Sequence, residues 1–242
     1  MGVKSLIEWT EDTWNPVTGC TKTSPGCTHC YAERMAKRLQ AMGNRRYPNG
    51  FDITLHNDLI KRPLLQKRPR MIFVNSMSDL FHEQIPIEFI RQVFSTMAAA
   101  PWHTFQILTK RSDRLLSVAD GLIWPQNVWM GVTVENQACT KRVDDLRKVP
   151  AAVRFLSCEP LLEHVELNLQ GMHWVIVGGE SGPHARPMEP EWARSIRDQC
   201  QVAGVPFFLK QLGGSGNKRG HDLALLDGKL YKEWPAQYAT EM

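Results

Sequence analysis

No stretch of this chain approaches the roughly 20 consecutive apolar residues that a bilayer-crossing helix needs, so a membrane-spanning protein is not expected from its 242 residues. The opening MGVKSLIEWTEDTW meets charge and tryptophan too early for the apolar heart of a secretory signal. The expected compartment is therefore the cytoplasm, where thiols stay reduced. No glycine-rich dinucleotide fingerprint follows an early strand-like run, which speaks against a nucleotide-binding open sheet. No linker, low-complexity tract or short-period repeat divides the chain. Cysteine is scarce, six residues in all, and in a reducing compartment a close group of them points to metal or redox chemistry rather than disulfides. Charge is not extreme either: 29 Lys and Arg against 25 Asp and Glu give +4, which permits a polyanionic partner without requiring one.

What is present is ordinary globular material. With 43% hydrophobic and 22% charged residues, the chain can build one large domain or two small ones. Nearly continuous apolar runs occur at Phe51–Leu55, Arg70–Asn75, His103–Thr109, Asn127–Val134, Val153–Ser157, His173–Gly179 and Val205–Gln211. Such runs suit strands buried on both faces of a parallel sheet. Helical patterns lie between them, at Cys30–Met42, Ile87–Ala99, Gln137–Lys148 and Glu189–Ala203, the last with Pro190 in its first turn. A first strand near Leu6–Thr10, or just before Cys20, brings the count to seven or eight. Repeated strand–helix–strand units with right-handed crossovers give an α/β fold, expected as a TIM-like (β/α) barrel of mostly parallel strands, complete or partial. A doubly wound open sheet uses the same units. The barrel domain is expected over residues 1–212, with 213–242 as a loop, GGSGNKRG, and a small Asp-Gly hairpin in ALLDGKLYKEWP, packed on the same domain.

The apolar runs end in polar clusters, and in parallel β/α folds the carboxyl ends of strands share one face on which ligands bind. These clusters are NSMSD (Asn75, Ser76, Ser78, Asp79), TKR (Thr109, Lys110, Arg111), TVEN (Thr133, Glu135, Asn136), SCEP (Ser157, Cys158, Glu159), GGESG (Gly178, Gly179, Glu180, Ser181) and KQ (Lys210, Gln211). Helix capping accounts for Asn75, Asp79 or Asn136 taken singly. It accounts poorly for Lys110 and Lys210, because a cation near a helix N-terminus is unfavourable. Basic groups at Arg45 and Arg46, Lys61 to Arg70, Lys110 to Arg114, and Lys218 and Arg219 read singly as solvated surface and jointly as a groove for a polyanion.

The sharpest feature is VTGCTKTSPGCTHCYAERMAKRL, which sets Cys20, Cys27 and Cys30 at C-x6-C-x2-C before a helix. Three thiolates so spaced fit zinc or an iron–sulfur cluster. Structural zinc wants four ligands; His29, inside the C-x2-C turn, is poorly placed to be the fourth, and a more distant His or Cys is the remaining way to complete the set. Three cysteines suggest instead a [4Fe–4S] cluster with one iron open to a substrate, wrapped by the Thr21–Gly26 loop. Cys139 and Cys200 read as buried small hydrophobes; Cys158, beside Glu159, reads first as packing, with a hydrogen-atom donor or a fourth metal ligand as the alternative. Trp9 and Trp14 read as packing.

A three-cysteine loop after the first strand of a β/α barrel resembles the radical S-adenosylmethionine (SAM) superfamily. Together with NSMSDLFHE, LTKRSDRL, GVTVENQ, SCEPLL, VIVGGESGPHARPM and FFLKQLGG, from Trp9 to Gly214, it resembles the uncharacterised phage gene-product or three-Cys-motif family. The resemblance implies that Cys20, Cys27 and Cys30 ligate a [4Fe–4S] cluster whose fourth iron takes SAM. It further implies a 5′-deoxyadenosyl radical and an electron donor such as flavodoxin or ferredoxin. Ser76, Asp79, Glu135, Gly178, Gly179 and Glu180 become candidates for holding SAM, and Lys110, Cys158, Glu159 and Lys210 candidate catalytic residues. The basic groups make DNA, RNA or a nucleotide the expected substrate. The alternatives are a zinc-stabilised nucleic-acid-binding or nuclease-like protein, and an iron–sulfur redox protein that does not use SAM.

Overall fold

The computed structural model describes residues 7–215 and 220–236. Lys218 and Arg219, and Leu6 of the expected first strand, lie outside the described residues. The chain divides into two compact units, Met1–Met130 with Lys148–Ala152, and Gly131–Arg147 with Val153–Met242. Among the described residues no helix is long and apolar enough to cross a membrane.

The first unit begins with β1 (Asp12–Trp14), followed by β2 (Val17–Thr18), a 3-10 turn at Pro25–Cys27 and helix α1 (Tyr31–Ala41). The first sheet strand is thus neither Leu6–Thr10 nor the residues next to Cys20. An acidic residue hid it. Asp12 is buried, and its carboxylate accepts from Arg62 Nη2 at 2.9 Å and Gln66 Nε2 at 3.1 Å, a compensation that local hydropathy does not reveal. Helix α1 turns Ala32 and Ala36 inward against Tyr47 and Met77. The run Phe51–Leu55 yields only β3 (Thr54–Leu55), antiparallel to β2 with Val17 opposite Leu55, rather than a strand of the parallel sheet.

Next come β4 (Met71–Val74), α2 (Ile87–Ala98), β5 (Thr104–Thr109) and α3 (Ser112–Ala119). Strands β1, β4 and β5 pair in parallel, Asp12 opposite Ile72 and Met71 opposite Thr104. All four residues of β4 are buried, as a strand covered on both faces requires. Helix α2 buries Phe89, Ile90, Val93, Phe94 and Met97, each worth about 1.5–3 kcal/mol relative to exposure. The Asn127 side-chain amide donates to the carbonyls of Met97, Ala100 and His103 at 3.1, 3.0 and 2.9 Å. It thereby ties the end of α2 to the residues that lead into β5.

Strand β6 (Val128–Thr133) carries the chain from the first unit into the second. There a 3-10 turn at Gln137–Cys139, capped by Asn136 Oδ1 accepting from Cys139 N–H at 3.2 Å, precedes α4 (Lys141–Arg147). The single helix expected over Gln137–Lys148 is therefore broken at its start. Strands β7 (Val153–Cys158), β8 (Trp174–Gly178) and β9 (Phe207–Gln211) pair in parallel, Phe155 opposite Trp174 and Val175 opposite Phe207. Helix α5 (Pro190–Ala203) starts at proline and ends at Gly204, whose φ of +66° supplies the left-handed turn. Beyond β9, β10 (Leu225–Leu226) and β11 (Lys229–Leu230) form the expected hairpin. Its turn residues Asp227 and Gly228 both have positive φ, 53° and 74°, as a type I′ turn demands. Trp234 then stacks on Trp174 with centroids 4.8 Å apart.

The sheet order is β1-β4-β5-β6-β7-β8-β9. Seven parallel strands alternating mainly with helices are the α/β architecture expected of a partial, TIM-like (β/α) barrel.

Candidate functional site

In the first unit, the segment between β2 and α1 carries Cys20, Cys27 and Cys30, all free and all partly exposed. Cys27 closes the Pro25–Cys27 turn and Cys30 sits immediately before α1. Thr23 Oγ1 and Ser24 Oγ lie 3.9 and 3.8 Å from Cys27 Sγ. Burial acts to raise the Cys27 pKa, but backbone hydrogen bonding at Thr23, the charge of Lys110 and hydrogen bonds at Ser24 outweigh it, and the net shift is downward. Cys20 goes the other way, pushed up to about 11 by burial first and by Asp79, with Arg111 opposing.

Arg111 fixes this segment. It is buried at the start of α3, and all five of its N–H donors are engaged. Nε donates to Glu83 Oε2 at 3.0 Å, and Nη1 donates to Asp79 Oδ2 at 3.3 Å and Cys20 Sγ at 3.5 Å. Nη2 donates to the Thr21 carbonyl at 3.1 Å and to Thr21 Oγ1 at 2.8 Å. Asp79 in turn accepts from Thr109 Oγ1 at 2.7 Å, Phe81 N–H at 3.0 Å and Lys110 N–H at 3.1 Å. The acid at the end of β4 thus ties down the end of β5. His82, with its side chain wholly buried, accepts from Gln84 N–H at Nδ1 (3.2 Å). Its Nε2–H is left to donate to Thr21 Oγ1 at 2.9 Å. Ser76 donates from Oγ to Asn15 Oδ1 at 3.2 Å, while its carbonyl accepts from the Tyr31 hydroxyl. Asn75, at φ +61°, accepts from Val17 N–H with its side chain at 3.3 Å.

The strand ends of the second unit gather the remaining candidates. Lys210 Nζ donates to Glu159 Oε1 at 2.7 Å, and Ser157 Oγ donates to Oε2 at 3.2 Å. Gly178 makes room for that carboxylate: a Cβ there would stand 2.7 Å from Glu159 Oε1. Gly179 allows the end of β9 to approach, since its Cβ would meet the Leu212 carbonyl oxygen at 2.4 Å. Glu180 is buried, and its two oxygens accept from Arg186 Nε at 2.9 Å, Nη2 at 2.6 Å and backbone N–H at 2.9 Å. Glu135 is fully buried and accepts from Arg142 Nη1 at 2.6 Å. Cys158 has no exposed surface, and burial first, then Cys200, Glu159 and Glu135, holds its thiol well above the usual range. Cys139 and Cys200 are buried as expected, and so are Trp9 and Trp14.

Each unit therefore brings its own candidates together: Cys20, Cys27, Lys110 and Asp79 in the first, Glu159, Lys210 and Gly178 in the second. Sequence reasoning placed Arg111 in the strand-end TKR cluster and in a basic group but gave it no individual role, and it gave none to His82. The one trace of Arg111 was an acid ending one strand run and a Lys-Arg pair ending the next.

Three free thiols on one short segment, with Arg111 at Cys20 and the charge of Lys110 felt at Cys27, are donor chemistry that fits an iron–sulfur cluster. Among the described residues, no three His, Cys, Asp or Glu side chains are drawn together as for one bound metal ion.

Similar solved structures include "Spore photoproduct lyase complexed with dinucleoside spore photoproduct", at TM-score 0.49 and 12% identity over 87% of this chain and 58% of that one. A cysteine-to-serine mutant of spore photoproduct lyase matches at TM-score 0.49 and 13% identity, over 88% of this chain and 59% of that one. A double mutant of it, with bound AdoMet and dinucleoside spore photoproduct, matches at 0.48 and 12%, over 85% and 57%. The chain thus spans less than two thirds of the length of these proteins, and a likeness this distant carries no argument about chemistry. No curated protein matches the chain. The family model described as "Protein of unknown function (DUF5131)" matches residues 4–235, and the chain belongs to that family.

Proposed function

We propose that the chain is a radical SAM-type iron–sulfur enzyme that modifies or repairs a nucleic acid or nucleotide. Cys20, Cys27 and Cys30 would hold a [4Fe–4S] cluster, reduced by a donor such as flavodoxin or ferredoxin. When bound, the cluster supplies an electron for cleavage of the SAM sulfonium and so gives access to hydrogen-atom abstraction. The protein's own part is to position the reactants and exclude water. Arg111 and Asp79 fix the thiol-bearing segment, Ser76 and Lys110 border it, and Glu159 with Lys210 offers a half-buried ion pair at the strand ends of the second unit.

The observation that carries this reading is the anchoring of a reduced, partly exposed thiol loop by a buried arginine that uses every donor it has. A merely solvated loop needs no such device. Support for a polyanionic substrate comes from the exposed cations Arg34, Lys37 and Arg38 on α1, directly after the cysteines, and from Arg45 just beyond.

Anaerobic reconstitution with iron and sulfide tests the assignment. The expected product is brown, with about four irons per chain, and with reductant and SAM it forms 5′-deoxyadenosine. A colourless protein with a single zinc overturns the cluster, and a full cluster that never cleaves SAM overturns the enzyme. Cys27→Ala is expected to lose iron and turnover together, whereas Cys200→Ala, whose thiol is buried away from solvent, keeps its iron.

A further inference from the structure

Arg111 stands in an unusual position for a basic residue of this chain. It is buried, it lies between two carboxylates, and it points one N–H at a sulfur that the reading above assigns to iron. We propose that Arg111 is a positioning residue that sets the reduction potential of the cluster by donating Nη1–H to Cys20 Sγ. This inference rests on the cluster assignment and goes beyond it, to which residue tunes the centre.

Hydrogen bonds to the sulfurs of an iron–sulfur centre, and positive charge beside it, favour the reduced state, which carries one more negative charge. The contact at Cys20 is 3.5 Å, within reach for a sulfur acceptor. Its direction is fixed because the other four donors are committed: Nη2 grips Thr21, the residue next to the ligand, through both its carbonyl and its hydroxyl. The guanidinium therefore cannot turn away from Cys20 without breaking bonds on the same segment. Asp79 at 3.3 Å and Glu83 at 3.0 Å moderate its charge, and they differ in kind. Asp79 is buried and serves the fold, whereas the side chain of Glu83 is 65% exposed and can be altered without disturbing the core. Lysine at position 111 could keep the charge but not the five-donor fork.

The test is a redox titration, followed by electron paramagnetic resonance, of the reconstituted full chain as wild type, Arg111→Lys, Arg111→Gln and Glu83→Gln, with iron content measured for each. Arg111→Gln is expected to disfavour one-electron reduction by about tenfold, a drop of about 59 mV, with Arg111→Lys in between. Glu83→Gln, which leaves the N–H···S contact intact and removes an opposing charge, is expected to shift the potential upward. Should the Arg111 variants fail to fold, Glu83→Gln alone decides: an unchanged or lowered potential overturns the proposal. Arg111→Gln with full iron and a wild-type potential overturns it too. A wild-type chain that takes up no cluster instead overturns the functional reading, and this inference with it, so the two failures are told apart by iron content.

Discussion

Replacing Asp79 with asparagine keeps the shape of the side chain and removes its charge, and the surrounding bonds fix what must follow. Oδ1 accepts from Thr109 Oγ1 at 2.7 Å and Phe81 N–H at 3.0 Å, while Oδ2 accepts from Lys110 N–H at 3.1 Å and Arg111 Nη1 at 3.3 Å. An asparagine that preserves the first pair turns its amide N–H groups toward the second, donor facing donor. Removing one partner of a buried ion pair costs about 3–5 kcal/mol, because the other charge stays behind. Here Glu83 and Thr21 remain on the guanidinium, which puts the cost at the lower end, about 3 kcal/mol. For a chain of this length each kcal/mol moves the melting temperature by about 2–4 °C, so Asp79→Asn should melt about 6–12 °C lower. Thermal unfolding followed by circular dichroism and by tryptophan fluorescence measures it. A melting point within about 2 °C of wild type would refute the anchoring role and return Asp79 to the list of side chains free to bind a ligand.

Mild acid should destabilise the fold through its buried histidines. His56, His82 and His103 are buried, and that burial, the largest influence on each, holds their pKa below the ordinary 6.5. On acidification the unfolded chain takes up these protons first. The stability they contribute is therefore present above about 6.5 and is lost as pH falls below it, by up to about 1.4 kcal/mol per pH unit for each group. A urea midpoint as high at pH 5.5 as at 7.5 would contradict this. Gly131→Ala puts a Cβ 2.5 Å from the ring of Phe155, and overpacking of that kind costs about 1–3 kcal/mol; a wild-type urea midpoint would show that the ring has room to move. For the cysteines the expected contrast is loss of iron in Cys27→Ala and full retention in Cys200→Ala, read by metal analysis.

Periodicity made much of the architecture legible. Helix α2 and strands β4 to β9 lie within a residue or two of the apolar patterns that announced them, because their burial is a local property of sequence. Strand β1 was not legible, since the burial of Asp12 depends on Arg62, 50 residues away. Helix α3 was hidden because its short pattern adjoins Lys110 and Arg111 and read as basic surface. The three cysteines announced themselves by spacing. Their anchor could not, because Lys110 and Arg111 are equivalent on paper, and only the end of β5 decides which points at Cys20 and which is left partly exposed.

The strand-end acids carry a further lesson about what a ligand could meet. Asp79 pairs with Arg111 at 3.3 Å in the first unit. In the second, Glu135 pairs with Arg142 at 2.6 Å, Glu159 with Lys210 at 2.7 Å, and Glu180 with Arg186 at 2.6 Å. A ligand ammonium could claim one of these carboxylates only by evicting a resident cation, and stripping a buried pair of one partner costs about 3–5 kcal/mol. That barrier is highest at Glu135, which is fully buried, and at Glu180, both of whose oxygens are held by Arg186. It is lower at Glu159, where the pair keeps 14% and 20% of its side-chain surface exposed. The acids that looked like ligand-binding groups therefore act first as fasteners of the strand ends. Under the proposed function, recognition is expected instead at the partly exposed side chains: Ser76 and Lys110 in the first unit, and the Glu159–Lys210 pair in the second.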